Sequence, residues 1–175
     1  MKTNIVYKKL NVLYLVMFLI TGIAGVMQPI TVYAEELIVK ETTHINAPAK
    51  AVWALVGGFK ALDRWHPAIV SSTLLGTGTE IGDIRVLTLA DNMEVVERLE
   101  FYDEHAMTFR YQILESPLPV DNYHASVTVK SAEDGMAIVI WQSSFKAADA
   151  SNDEAKQIIN NIYLAGFESL AELFK

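Results

Sequence analysis

At 175 residues, with 51% hydrophobic residues and no cysteine, the chain is long enough for one packed core that no disulfide supports. Thiol chemistry, thiolate metal sites and iron–sulfur ligation are excluded. A formal charge of −7 makes nucleic acid and anionic membrane surfaces poor partners.

The first segment is chemically distinct. Met1 to Lys9 carries Lys2, Lys8 and Lys9 with no acid, Leu10 to Met27 is almost continuously apolar, and Val32-Tyr33-Ala34 precedes Glu35-Glu36. A basic start, an apolar stretch and small residues before a cut make a secretory signal peptide over 1–34, with cleavage predicted after Ala34. An uncleaved membrane anchor is the alternative, although Gly22, Gly25 and Pro29 weaken the span. Cleavage takes away three lysines and leaves 11 Lys and Arg against 21 Asp and Glu, so the mature charge is −10. The expected product is periplasmic or secreted, has no membrane association, and carries a charge suited to a basic protein partner.

Leu37 to Ile45 reads as a first strand. Asn46-Ala47-Pro48 starts a short helix, with Asn46 or Ala47 near the cap and Pro48 early in the helix. Val52, Trp53, Leu55 and Val56 form its apolar face, and Gly57-Gly58 stops it. Phe59 to Trp65 predicts a second short helix ended by Pro67. Six strands follow: Ile69–Leu75, Ile84–Leu89, Met93–Tyr102, Met107–Leu114, Tyr123–Lys130 and Ala137–Lys146. Short Gly, Asp-Asn, Pro and Asp-Gly breaks between them favour an antiparallel meander. Ser151-Asn152-Asp153-Glu154 is a capping box, with Ser151 as N-cap and Glu154 reaching back. Beyond it Ala155, Ile158, Ile159, Ile162, Gly166, Leu170 and Leu173 recur at helical spacing, so one long amphipathic helix must lie on the sheet. The expected class is α+β: a curved antiparallel sheet of about seven strands wrapped around the C-terminal helix, with two short helices after the first strand.

Within Met93–Tyr102, alternate side chains share a face, so Val95, Leu99 and Phe101 point inward and Glu97 points in with them. An isolated carboxylate is costly to bury, so Glu97 needs a partner, hydration or a proton. Arg85, on the inner parity of the neighbouring strand, is the expected partner. Two readings stand: a polar anchor for ligand or water, or an ion pair that fixes strand register. Alternation places Arg85, Leu87, Leu89, Phe109, Tyr111, Ile113, Tyr123, Ala125, Val127, Val139, Trp141, Ser143 and Phe145 on the same face. The helix adds Ile158, Ile162 and Gly166. Aliphatic and aromatic residues with a few convergent polar groups suit a small-molecule cavity, and they suit a solid core equally. His66, between Trp65 and Pro67, is either a proton shuttle near a cavity mouth or a surface or capping histidine. His44, His105 and His124 fall on exposed positions, and no His-x-x-x-His spacing suggests a metal. No Gly-x-Ser-x-Gly nucleophile setting and no phosphate loop occurs; Gly76-Thr77-Gly78 precedes a strand and reads as a turn. No cofactor and no metal are expected.

The ordered set Ile45-Asn46-Ala47-Pro48 leading to Val52-Trp53, Trp65-His66-Pro67, Gly82-Asp83-Ile84-Arg85, Glu97-Arg98-Leu99, Pro117-Leu118-Pro119-Val120, Tyr123 and Trp141 resembles the SRPBCC superfamily, the START or birch-pollen-allergen-like helix-grip fold. The nearest branch is the bacterial polyketide cyclase/dehydrase-type and MxaD-like proteins, with plant abscisic acid receptors more distant. The resemblance covers residues 35–175 and implies a ligand-binding domain. Its cavity, between sheet and long helix, would hold a small hydrophobic or amphipathic molecule. It aligns Glu97 with the acid of the family's Glu-Arg-Leu strand, Arg85 with its inward arginine and His66 with the receptors' ligand-binding lysine. Pro117-Leu118-Pro119 aligns with a mobile loop at the cavity mouth. Ala90-Asp91-Asn92 is short and lacks the receptors' Ser-Gly-Leu-Pro gate, so the resemblance does not extend to their gate-and-latch switch.

The expected ligand-facing set is Trp65, His66, Arg85, Leu87, Glu97, Leu99, Tyr111, Pro117, Leu118, Tyr123, Trp141, Ile158 and Ile162. Three functions follow from the resemblance. The first is an exported carrier or sensor of a small hydrophobic ligand. The second is a cyclase or dehydratase in which Glu97 and His66 move protons while Arg85 polarises a carbonyl. The third is an MxaD-like accessory protein beside an exported redox enzyme.

Overall fold

A computed structural model describes residues 35–175; the expected signal segment 1–34 lies outside them. The elements are β1 (Leu37–Ile45), α1 (Ala49–Val56), a 3₁₀ turn (Ala61–Arg64), β2 (Ile69–Leu75), β3 (Ile84–Leu89), β4 (Glu94–Asp103), β5 (Thr108–Glu115), β6 (Val120–Ser131), β7 (Ala137–Ala147) and α2 (Asn152–Leu173). The strands form one antiparallel sheet in the order β1-β7-β6-β5-β4-β3-β2. Short connections let consecutive strands pair, and only β1 joins across the sheet to β7. The sheet curves around α2, the helix-grip arrangement expected from the sequence.

Local chemistry sets the boundaries. Pro48 caps α1 in place of Asn46 or Ala47: its φ of −59° and ψ of 141° are extended, and no side chain caps the helix. Its carbonyl accepts the first helical bonds, from Ala51 N at 2.8 Å and Val52 N at 3.2 Å. At α2, Ser151 Oγ accepts from Glu154 N at 3.2 Å, and the return bond of the capping box is not made. Asp83 organises the turn before β3. Its Oδ2 accepts from the backbone N–H groups of Thr77 (3.0 Å), Gly78 (2.6 Å) and Glu80 (3.1 Å). Gly76, at φ +124°, lets the chain pass so close that a Cβ there would lie 1.9 Å from Asp83 Oδ1. This clasp fixes where β3 begins, and so where Arg85 projects.

Bulges correct the simple alternation. Between Leu99 and Phe101 the β4–β5 register shifts by one residue, so Tyr102 pairs with Phe109 and Phe101 with Arg110. A one-residue bulge exchanges the two faces of everything beyond it. Phe101, expected inside, therefore sits on the outer face beneath the Arg110 guanidinium, 5.0 Å from its ring centroid. Tyr102 turns in and its ring lies 6.0 Å from Trp53. Another bulge, with Asn122 at φ 50°, lets β6 begin at Val120 ahead of the expected Tyr123.

On α2 the buried stripe is Ala155, Ile159, Tyr163, Gly166, Phe167 and Leu170. Ile158 is only half-buried, and Leu173, expected on the inner face, is exposed.

Candidate functional site

A cavity of about 240 Å³ lies between the sheet and α2. Leu62, His66, Ala68 and Ile69 wall it from the segment after α1, and Leu87 and Leu89 from β3. β4 contributes Val95 and Glu97, β5 Tyr111 and Ile113, β6 Tyr123 and β7 Trp141. Leu118 enters from the β5–β6 loop, and Ile159, Ile162 and Tyr163 close the helix side. The wall is aliphatic and aromatic with a few polar atoms, the usual make-up of a small-molecule pocket. A larger hollow between β1 and α2, lined by Lys40, Glu41, Lys156, Gln157 and Asn160, is open and polar.

The expected site residues divide by placement. His66, Leu87, Glu97, Tyr111, Leu118, Tyr123, Trp141 and Ile162 meet at the cavity wall. Trp65, Arg85, Leu99, Pro117 and Ile158 do not. Leu99 is sealed in the core, and Trp65 packs against Trp141 at 5.5 Å behind the wall. Ile158 flanks the helix stripe, because Ile159 and Tyr163 take the inward phase of α2.

Arg85 stands behind Glu97. The two are directly opposite in the β3–β4 register, and Arg85 Nε donates to Glu97 Oε2. Arg85 Nη1 donates to the Phe59 carbonyl at 2.5 Å. The guanidinium carbon is 4.4 Å from the Phe59 ring centroid and 5.0 Å from that of Tyr111. A guanidinium resting against two neighbouring aromatic rings and donating to two acceptors is one of the few arrangements that tolerates burial to 2% exposure. Burial raises the Glu97 carboxyl above its usual value, and Arg85 opposes that rise. Among the described residues no donor reaches its Oε1, so the carboxylate meets the cavity with one acceptor free.

His66 is buried and neutral. Its Nδ1 accepts from Ala68 N at 3.2 Å, which leaves Nε2 to donate to the Ile162 carbonyl at 2.9 Å. Burial lowers its pKa, and the Arg85 charge acts the same way. Both nitrogens are engaged, so the ring is a clasp between the segment before β2 and α2, in place of the expected surface or shuttle histidine. Gly166 makes the clasp fit: a Cβ there would lie 2.7 Å from His66 Cδ2 and 3.1 Å from Trp65 Cζ3.

The far wall is a set of neutral phenols. Trp141 stacks on Tyr163 at 4.3 Å and donates from Nε1 to the Tyr111 hydroxyl at 3.0 Å. The Tyr123 and Tyr163 hydroxyls share a hydrogen bond of 2.5 Å. Burial pushes all three phenols well above their usual range. Tyr163 was not among the expected site residues; its place in an apolar helix face beside Ile159 and Ile162 was the available signal. Among the described residues no group of three or more acids and histidines is placed to hold a metal, and no helix is long and apolar enough to cross a membrane.

The family model for polyketide cyclase/dehydrase and lipid transport proteins matches residues 36–175. The chain is similar to the protein XoxI of Bacillus cereus, at 31% identity and a TM-score of 0.73, over 78% of this chain and 94% of that one. A protein of Bacillus thuringiensis matches at 31% identity and a TM-score of 0.74, over 79% and 98%. A Thermobifida fusca protein solved by NMR matches at 32% identity and a TM-score of 0.72, over 78% and 92%.

Proposed function

The chain belongs to the polyketide cyclase/dehydrase and lipid transport family of the SRPBCC superfamily, and from that premise we propose that it is an exported protein that holds a small hydrophobic or amphipathic molecule. The supporting observation is the cavity of about 240 Å³ with an apolar wall and a single carboxylate. A cavity of about 150 Å³ is enough for benzene in an apolar site. This one suits a bicyclic aromatic or a short alkyl chain. Proton-transfer catalysis is the weaker reading. His66 has no free nitrogen and Arg85 no path to the cavity, so neither a shuttle nor a carbonyl-polarising cation is presented.

Native mass spectrometry of protein recovered outside the cytoplasm tests binding and export together. The expected result is a chain beginning at Glu35 that carries one small molecule. Ile162→Trp, which fills the cavity from α2, should release that molecule while the far-UV spectrum stays unchanged. Ligand-free protein after exposure to aromatic and lipid mixtures would sink the binding reading, and a chain retaining residues 1–34 would sink cleavage.

The mature charge of −10 favours, as a second reading, an accessory role beside a basic or redox protein partner. Pull-downs at low and at high salt should then recover a basic partner only at low salt. Recovery that ignores salt, or no partner at all, counts against it.

A further inference from the structure

We infer that the cavity selects a neutral ligand whose polar end both donates and accepts a hydrogen bond, a hydroxyl above all, and that it excludes ionised acids. The inference rests on the binding reading above and specifies the polar end of the ligand.

Three placements carry it. Glu97 is 4% exposed, its Oε2 is occupied by Arg85, and its Oε1 has no donor among the described residues although the side chain lines the cavity. Arg85 is turned away: Nε is on Glu97, Nη1 on the Phe59 carbonyl, the Phe59 and Tyr111 rings lie against the guanidinium, and the side chain is not part of the cavity wall. The positive charge that would neutralise an incoming acid is therefore screened from the cavity by the carboxylate itself. Tyr111, on the same wall, accepts from Trp141 Nε1, and its own O–H has no acceptor among the described residues.

The cavity wall thus carries one strong acceptor and phenol hydroxyls able to donate, Tyr111 among them. A hydroxyl satisfies both: its proton goes to Glu97 and its oxygen accepts from a phenol. A hydrocarbon leaves Glu97 and the Tyr111 hydroxyl unpaired in an apolar cavity, which costs binding. A carboxylate would bring a second anion against Glu97 with no lysine or arginine on the cavity wall among the described residues, where low dielectric strengthens the repulsion. An ammonium would add an uncompensated charge to a site already neutralised by Arg85.

Naphthalene, 2-naphthol and 2-naphthoate share one ring system and separate these terms. Titrated at neutral pH against the quenching of tryptophan fluorescence, 2-naphthol should bind about tenfold tighter than naphthalene. It should bind at least about a hundredfold tighter than 2-naphthoate. Naphthoate binding as well as naphthol, or naphthalene binding as well as naphthol, overturns the inference while leaving the cavity a binding site. Failure of all three to bind overturns the binding reading itself. The paired variant Arg85→Met/Glu97→Gln removes both charges and supplies a carboxamide donor. It should bring naphthoate to within a few-fold of naphthol, and an unchanged preference in that folded variant removes Glu97 as the discriminating group.

Discussion

Arg85→Met and Glu97→Leu should each lose about 3–5 kcal/mol of unfolding free energy, while the double variant stays within about 1–2 kcal/mol of the natural protein. Both groups are almost completely buried and face each other across the β3–β4 register. Removing either leaves an uncompensated charge in the core, whereas removing both leaves two apolar side chains of similar size. Urea unfolding of the four proteins closes the cycle, and single variants that lose less than about 1 kcal/mol would show the pair to be dispensable. The two single variants also differ in pH response. In Arg85→Met the carboxyl loses the only influence that opposes burial, so its folded pKa rises further above the unfolded value. A raised folded value means stability that is present below the unfolded pKa and lost as pH rises through the folded one. The deficit of Arg85→Met relative to the natural protein should therefore shrink between pH 8 and pH 5. The deficit of Glu97→Leu should not, because arginine stays charged throughout.

Gly166→Ala is expected to cost about 1–3 kcal/mol, more than an ordinary glycine-to-alanine change in a helix, which is stabilising. The added methyl falls on the His66 ring and on Trp65, and neither has room to retreat: His66 is tied at both nitrogens and Trp65 is packed on Trp141. The pH profile reports whether the clasp has opened. Burial lowers the folded pKa of His66, so its contribution is complete above the unfolded value of about 6.5 and is lost as pH falls through the folded one. Displacing the ring into solvent removes that acid-side loss. Thermal melts at pH 8 and pH 5 should show a smaller drop in Gly166→Ala than in the natural protein. An equal drop, or a variant as stable as the natural protein, would mean that the ring is not pinned by Gly166.

The binding role proposed for Glu97 and its structural role are separable in these experiments. The stability cycle reads the contact of Oε2 with Arg85, and the ligand series reads what a residue on the cavity wall contributes to the proposed selection. The ion pair with Arg85 is present, and the anchor reading rests on the ligand series.

Strand alternation, the Ser151 cap and the glycine, proline and Asp-Asn breaks are local signals, and they marked seven strands and a long final helix close to where they lie. The partnership of Arg85 with Glu97 was legible for the same reason: two inward-pointing opposite charges on neighbouring strands leave few other ways to be buried. The inward phase of α2 was legible only in part: Ile162 and Gly166 were placed, while Ile158 stood where Ile159 and Tyr163 reach the cavity. Ile158, Ile159, Ile162 and Tyr163 offer two adjacent apolar stripes, and only docking on the sheet turned Ile159 and Tyr163 to the cavity beside Ile162 and left Ile158 out. The exchange of Phe101 for Tyr102 was equally hidden, because a bulge is a mismatch between two strands and no single strand records it. His66 was decided by an approach between segments about a hundred residues apart, possible only where Gly166 omits a side chain. Periodicity along the chain thus determined the elements and the buried charge pair. Contacts between elements decided which side chains reach the cavity, since burial there depends on what lies opposite and not on what lies next in sequence.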